Sequence, residues 1–184
     1  HEKVYWKGEG TTYATSGDNS TGQSIFSTSK AFDVSGNIMS LLYGDDFVGQ
    51  TSLPNNTRTF ANLLSQNLCL INAKHLKLPA TTMAQNCYQY LFSGCSALTT
   101  VPELPATELT VCCYQYMFMG CVSLTNAPEL PASTMKTYCY RGMFRDCTSL
   151  TKAHALPATT VAHSCYEAMF SGCSPLGETP ALPA

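Results

Sequence analysis

The sequence predicts a repeat solenoid, a coil with very short strands and short helical or 3-10 segments, closed by a small N-terminal β-containing cap. Three observations predict it. The stretch LPATTMAQNCYQYLFSGCSALTTVPE, residues 78–103, returns without a gap from Leu104, Leu130 and Leu156 at a spacing of 26 residues, and a fifth copy opens as LPA at Leu182. A fixed period between about 20 and 50 residues is the mark of units that stack. The positions kept from copy to copy are mostly apolar, whereas those between them drift, as in Ala84-Gln85-Asn86 against Lys136-Thr137-Tyr138. Finally, one copy has too few apolar side chains to offset the ordering of its own backbone, so each must bury its faces against its neighbours.

Stacking turns the period into columns. One is Leu78, Leu104, Leu130, Leu156 and Leu182, each followed by proline, and another is Met83, Leu109, Met135 and Val161. Cys87, Cys113, Cys139 and Cys165 directly precede Tyr88, Tyr114, Tyr140 and Tyr166. Phe92, Phe118, Phe144 and Phe170 follow, then Cys95, Cys121, Cys147 and Cys173, then Leu98, Leu124, Leu150 and Leu176.

Within a copy, Cys87, Tyr88, Leu91, Phe92 and Cys95 fall at i, i+1, i+4, i+5 and i+8, one face of a helix. Gly94 or Gly120 is a fitting helix stop, so a short helical segment, partly 3-10, is expected over about 86–94. LTTVPELP is expected to be extended, because Pro102 and Pro105 push the residues before them toward β or polyproline geometry and leave few ladder donors. A second extended piece is expected over Thr82–Gln85.

Outside the full copies, residues 1–50 read as the cap. VYW at 4–6 is strand-like, and Lys7–Gln23 is a Gly/Ser/Thr-rich stretch of loops. The apolar pieces Ala31–Val34 and Asn37–Tyr43 are split by Ser35-Gly36, and Gly44-Asp45-Asp46 reads as a turn. Residues 51–77 read as a degenerate first repeat, with Phe60, Leu64, Asn67 and Leu70 matching the Tyr88, Phe92, Cys95 and Leu98 columns. Residues 78–184 hold the four repeats and the start of the fifth. The chain has 184 residues, 45% of them hydrophobic, which suits one small domain with a repeat array. Only 12% are charged, with a formal net charge of −2, against a nucleic-acid partner. No apolar run reaches the ~20 residues of a membrane span. The first residue is His1, so a processed form is expected, with any export signal upstream.

Ten cysteines raise the question of disulfides or metal. Eight fall in the two columns, eight residues apart within a copy, without the close C-x-x-C pairing of zinc sites or a histidine column. Eight residues along a helix span about 12 Å, beyond the ~7 Å limit for disulfide Cα atoms. Same-column cysteines on stacked coils would have Cβ atoms about 4.8 Å apart, wider than a bridge prefers. Buried free thiols acting as small hydrophobes are therefore expected, with disulfides the alternative an oxidising compartment would permit. Cys69 and Cys112 lie off the columns as the more exposed thiols. No cofactor is expected. There is no G-x-S-x-G, H-E-x-x-H or P-loop, Gly8-Glu9-Gly10 lacks a strand-to-helix context, and His1, His75, His154 and His163 are scattered, so no enzyme is expected.

Two surfaces are candidates for binding. If Tyr88 and Tyr114 face inward, Tyr90 and Tyr116 face outward, side by side across two coils, with Gln89 and Gln115 adjacent. Exposed aromatics beside amides suit a glycan or peptide, although the same rings would serve merely to cover the flank. The second surface runs beside the extended segments: Thr99, Thr100 and Glu103, then Thr125, Asn126 and Glu129, then Thr151 and Lys152. Its plain alternative is a solvated face.

The pattern C-Y-x-x-[LM]-F-x-[GD]-C-x-x-L followed by P-x-L-P-A-[ST] resembles the 26-residue repeat of bacterial surface proteins related to the BspA-like leucine-rich repeats, over about 53–184. FDVSGNIMSLLYGDDF resembles the segment that precedes such repeats in gut commensal bacteria. The resemblance implies a right-handed leucine-rich-repeat solenoid on exported cell-surface or secreted proteins, often lipid-anchored, linked to adhesion and to binding a host protein or glycan. His154 in place of Pro102 and Pro128, and Pro175-Leu176-Gly177 in the last copy, depart from the pattern. The function expected is thus a non-catalytic, adhesion-like binding surface. The alternatives are a purely structural spacer, or weak self-association through the C-terminal edge that Leu182-Pro183-Ala184 begins.

Overall fold

Alternate residues of each copy send their backbone N–H groups to different places. Over 86–94, the N–H groups of Asn86, Tyr88, Tyr90, Phe92 and Gly94 donate to the carbonyls of Val111, Cys113, Gln115, Met117 and Met119 in the following copy, at 2.7–3.1 Å. Those of Cys87, Gln89, Leu91 and Ser93 donate three residues back, to Ala84, Asn86, Tyr88 and Tyr90, at 3.0–3.3 Å. The next two copies repeat the rule. Tyr114 reaches Cys139 and Phe118 reaches Met143, then Tyr140 reaches Cys165 and Phe144 reaches Met169. Arg58, Asn62, Leu64 and Gln66 of the degenerate copy donate likewise to Gln85, Gln89, Leu91 and Ser93. Each of these donors is thereby paired, as buried backbone requires. The computed structural model describes residues 28–53 and 58–181. His1, the strand reading of 4–6, the loops of Lys7–Gln23 with Gly8-Glu9-Gly10, and Leu182-Pro183-Ala184 lie outside the described residues.

The short helix expected over 86–94 does not form. A helix would return every N–H four residues back within its own copy and leave none for the next coil. Instead every fourth residue enters the left-handed region: Asn86 (φ 56°), Tyr90 (φ 57°) and Gly94 (φ 74°), then Cys112, Tyr116 and Gly120, then Tyr138, Gly142 and Asp146, then Ser164, Ala168 and Gly172. These inversions fold the chain into a ribbon of successive turns. The four-residue spacing that resembles a helix face is the period of that ribbon.

The rest of each copy is extended and bridged in parallel to its neighbours. Isolated bridges join Asn72 to Thr100 and Asn126 to Lys152 on one side, and Ser52 to Thr82, Glu108 to Thr134 and Thr134 to Thr160 on another. At the N-terminal side, β1 (Phe32–Asn37) pairs in parallel with β2 (Leu70–Lys77). β1 runs through Ser35-Gly36 rather than breaking there, with Gly36 at φ 101° and the register slipping between Asp33 and Ser35. It leads into a four-residue helix α1 (Ser40–Tyr43), and the expected turn at Gly44 is a 3-10 segment, Gly44–Phe47.

The core lies between the ribbon and the bridged segments and is built from rings in register. Phe60, Tyr88, Tyr114, Tyr140 and Tyr166 stack successively with centroids 5.8–6.0 Å apart. Phe92, Phe118, Phe144 and Phe170 form a second ladder at 5.5–5.7 Å. Offset-parallel rings at such spacing attract beyond the area they bury. Leu98, Leu124 and Leu150 are fully buried beside them, and Leu176 is partly buried.

Candidate functional site

The ribbon sets the side chains at its four-residue left-handed beat on one flank of the stack, whereas Phe60, left-handed at φ 63°, lies in the buried ring ladder. Tyr90 and Tyr116 occupy two such positions, and their rings stack at 5.1 Å with an interplanar angle of 14°. Both are half-exposed. The far face of Tyr116 covers Gly142, where an added Cβ would overlap Cδ1 and Cε1 of the ring. Ring faces are therefore spent within the stack, and the edges with their hydroxyls meet solvent. Burial, then the neighbouring Tyr116, raises the Tyr90 hydroxyl above its ordinary value, against the opposing pull of Arg141 and Arg58. The phenol stays protonated at neutral pH, able both to donate and to accept.

Arg141 extends the patch by one copy. Its guanidinium lies 5.1 Å from the centroid of Tyr138 and 5.9 Å from that of Tyr116, within cation–π range. Nη2 also donates to Oε1 of Glu167 at 2.9 Å. His163 meets Tyr138 edge-on at 5.5 Å. Four copies thus contribute to one polar, aromatic strip. Bulky residues at positive φ are outliers, and such strain tends to be kept where a surface is used. Here Tyr90, Tyr116 and Tyr138 stand where Asn62, Asn86, Gly142 or Ala168 fill equivalent positions at less steric cost.

Gln89 and Gln115 are not part of the exposed surface. They are only 8% and 7% exposed. Nε2 of Gln89 donates to Oε1 of Gln115, and Arg58 Nη1 donates to Oε1 of Gln89 at 3.2 Å. The one-residue offset from a left-handed position turns each amide along the stack, where it ties neighbouring coils together instead of waiting for a ligand.

The threonine strip is exposed but its hydroxyls are engaged. Thr99 Oγ1 donates to the Ile71 carbonyl at 3.0 Å and Thr151 Oγ1 to the Thr125 carbonyl at 3.2 Å. Asn126 Nδ2 donates to Thr125 Oγ1 at 2.9 Å. Glu103 and Glu129 are both exposed, and Glu129 lines a shallow hollow of about 280 Å³ with Pro131, His154 and Pro157. The two carboxylates do not converge on the tyrosine strip.

All ten cysteines are free thiols, the eight column members buried and Cys69 and Cys112 half-buried. The second column has a bonding role: Sγ of Cys95, Cys121, Cys147 and Cys173 donates to the carbonyls of Leu64, Phe92, Phe118 and Phe144 in the preceding coil, at 3.0–3.2 Å. Burial pushes the thiols of Cys87, Cys95 and Cys147 up to about 12 and that of Cys139 to about 11. They are held as unreactive thiols, since the thiolate is the nucleophile. Among the described residues no group of three or more His, Cys, Asp or Glu side chains is placed to hold a metal. No helix among them is long and apolar enough to cross a membrane. The hydroxyls of Tyr88, Tyr114, Tyr140 and Tyr166 are buried without a hydrogen-bond partner, a standing cost to stability.

Reading by 26-residue columns misses Arg58, Tyr138 and Arg141, because each differs from the residues above and below it. The available signal is the four-residue beat of Asn, Gly and Asp, as in Asn86-Tyr90-Gly94 and Tyr138-Gly142-Asp146. These residue types tolerate left-handed backbone and so mark which positions share the flank. Comparison with protein-family models, with curated proteins and with solved structures found no match.

Proposed function

We propose that this chain is a non-catalytic repeat solenoid of the leucine-rich-repeat type, akin to the BspA-like surface proteins. In this reading it is exported to a bacterial surface and holds out a preformed patch that binds a protein or glycan partner. The observation that carries the reading is the strip Tyr90–Tyr116–Arg141–Tyr138, in which bulky rings are kept at positive φ. Tyrosine and arginine are the residues that dominate binding energy at protein interfaces. Because the ring faces are already stacked, the edges and hydroxyls favour a protein partner over flat stacking on a sugar. The coil ladder supports the fold assignment, since each copy is completed by its neighbours as a repeat array requires.

The test uses a double variant, Y90N/Y116N, screened on host-protein and glycan arrays beside the natural chain. Asparagine suits the left-handed backbone, so the variant is expected to fold with stability within about 1 kcal/mol of the parent, given the loss of one ring pair. Binding to the best array hit is expected to fall at least tenfold. A folded variant that binds every hit as well as the parent refutes the assignment of this strip.

A further inference from the structure

The left-handed residues that open each ribbon form a column of their own: Arg58, Asn86, Cys112, Tyr138 and Ser164, at φ 69°, 56°, 56°, 57° and 50°. Backbone bonds hold it in register, since the N–H groups of Arg58, Asn86, Cys112 and Tyr138 donate to Gln85, Val111, Thr137 and His163 of the coil that follows. Long side chains stand at Arg58 and Tyr138. Between them the column carries only the short side chains of Asn86 and Cys112, both half-buried. The column alongside holds the stacked rings of Tyr90 and Tyr116. The result is a gap with a low floor and a wall of ring edges.

A guanidinium closes each end of this gap. Arg58 reaches onto the following coil, where Nη1 donates to Oε1 of Gln89 at 3.2 Å. Arg141 lies at the other end, 5.9 Å from the Tyr116 ring and 5.1 Å from that of Tyr138. Both act on the groups between them. Burial raises the Cys112 thiol, and the pull against it comes from Arg141 and then Arg58. The same two cations oppose the raising of the Tyr90 hydroxyl, which also feels Cys112. No carboxylate among the described residues acts on either group. Glu167 takes Nη2 of Arg141 from the next ribbon, and Arg58 makes no ion pair among the described residues. Two cations with phenol hydroxyls between them are the donor set of an oxyanion site. We infer that the gap over Asn86 and Cys112 seats a carboxylate from an acidic segment of a partner protein. Arg58 and Arg141 hold it by charge, and the Tyr90 hydroxyl donates to it, as arginine clusters hold acidic motifs elsewhere. The chain as a whole carries −2, so the attraction belongs to this gap alone and not to the surface at large. The inference rests on the reading of the tyrosine strip as a binding surface and adds the charge of what binds there.

The test puts a charge into the gap while keeping its shape. Asp and Asn both tolerate the left-handed backbone at position 112 and differ by one charge. Cys112→Asp and Cys112→Asn are therefore compared with the natural chain and with Y90N/Y116N. Each is titrated on an array of short peptides, acidic, neutral and basic, and on heparin as a sulfated polysaccharide. The natural chain is expected to bind acidic peptides at least tenfold more tightly than the others. Cys112→Asn is expected to stay within twofold of it, and Cys112→Asp to bind at least tenfold more weakly, since like charges set together are repelled. Equal binding by the folded Asp and Asn variants, whether kept or lost, overturns the inference, as does a preference for neutral or basic peptides. If Y90N/Y116N then loses those peptides, the strip is still a binding surface and only the charge of its partner is wrong. If it binds them as the parent does, the strip fails as well. Binding of heparin in place of acidic peptides makes a sulfated glycan the occupant and overturns the inference, and an array on which nothing binds sinks both readings.

Discussion

The ribbons at the two ends of the stack share a four-residue beat of left-handed residues, with Phe60 an extra one in the first, and have opposite circumstances. In the first, Thr59, Phe60, Ala61, Leu63, Leu64 and Ser65 are all buried. In the last, Tyr166 and Phe170 are half-exposed, Ala168 and Ser171 are exposed, and only Cys165, Met169 and Cys173 remain buried. The difference teaches that a coil's stability is set less by its own sequence than by having a neighbour on both sides. The last copy keeps the ring and cysteine columns, Cys165, Tyr166, Phe170 and Cys173, and is poorly covered, while the degenerate first copy lacks both column cysteines and is well covered. Position in the stack outweighs fidelity to the motif.

The largest test of that contrast is alkaline titration. The buried thiols are raised from an ordinary 9.0 to about 12 in Cys87, Cys95 and Cys147. A group raised on folding contributes stability that is whole below its unfolded value and is lost as pH climbs through the folded one. Stability is therefore expected to be flat to about pH 9 and then to fall by about 1.4 kcal/mol per pH unit for each such thiol. Denaturant midpoints measured from pH 7 to 11 check this, and an unchanged midpoint at pH 10.5 contradicts the burial described here. The last copy should open first, since Tyr166 and Phe170 are stacked on one face only.

Next in size is truncation of the phenylalanine ladder. Phe118→Ala removes a fully buried ring packed between Phe92 and Phe144 and is expected to cost about 3–5 kcal/mol. Phe170→Ala removes a ring with one covered face and is expected to cost less than half as much. Equal losses by urea unfolding would show that the last ring is as well covered as the middle one.

The smallest expected effect has the opposite sign. Tyr114→Phe deletes a buried hydroxyl that has no partner, while keeping the ring in the ladder. Phe60 already occupies the equivalent place in the first ribbon, stacked on Tyr88 at 6.0 Å. A gain of about 1 kcal/mol is expected, shrinking toward zero for Tyr166→Phe, where fraying of the last coil admits water. A loss of stability in Tyr114→Phe would mean the hydroxyl has a partner after all.

The period of 26 residues is legible in the sequence because burial repeats with it. Tyr88, Phe92, Cys95 and Leu98 recur by letter, and so their columns are plain in the sequence itself. The path of the chain between those letters is less legible. Cys87, Leu91 and Cys95 fit a helix face and a turn ribbon equally well, since both repeat near four residues. Only the destination of each N–H separates them, and hydrogen-bond partners in another coil leave no local mark. Side chains on the flank are harder still. Gln89 next to Tyr90 looks like surface, yet a single left-handed residue decides that the ring faces out and the amide runs along the stack. Arg141 reaches Tyr138 and Tyr116 from a position where the other copies hold Gln or Glu, so nothing periodic announces it.

One consequence of the alternating bonds concerns charge. In the ribbon, the carbonyl of each odd-numbered residue and the N–H of the next belong to one peptide group, and both lie along the stack, pointing to opposite ends. Strand dipoles in an ordinary sheet cancel by alternation. Here every axial peptide is oriented alike, so the small moments add from coil to coil as they do along a helix. The assembly is consequently an electret, with its positive pole at residues 164–172 and its negative pole toward residues 58–66, independent of any ionised side chain.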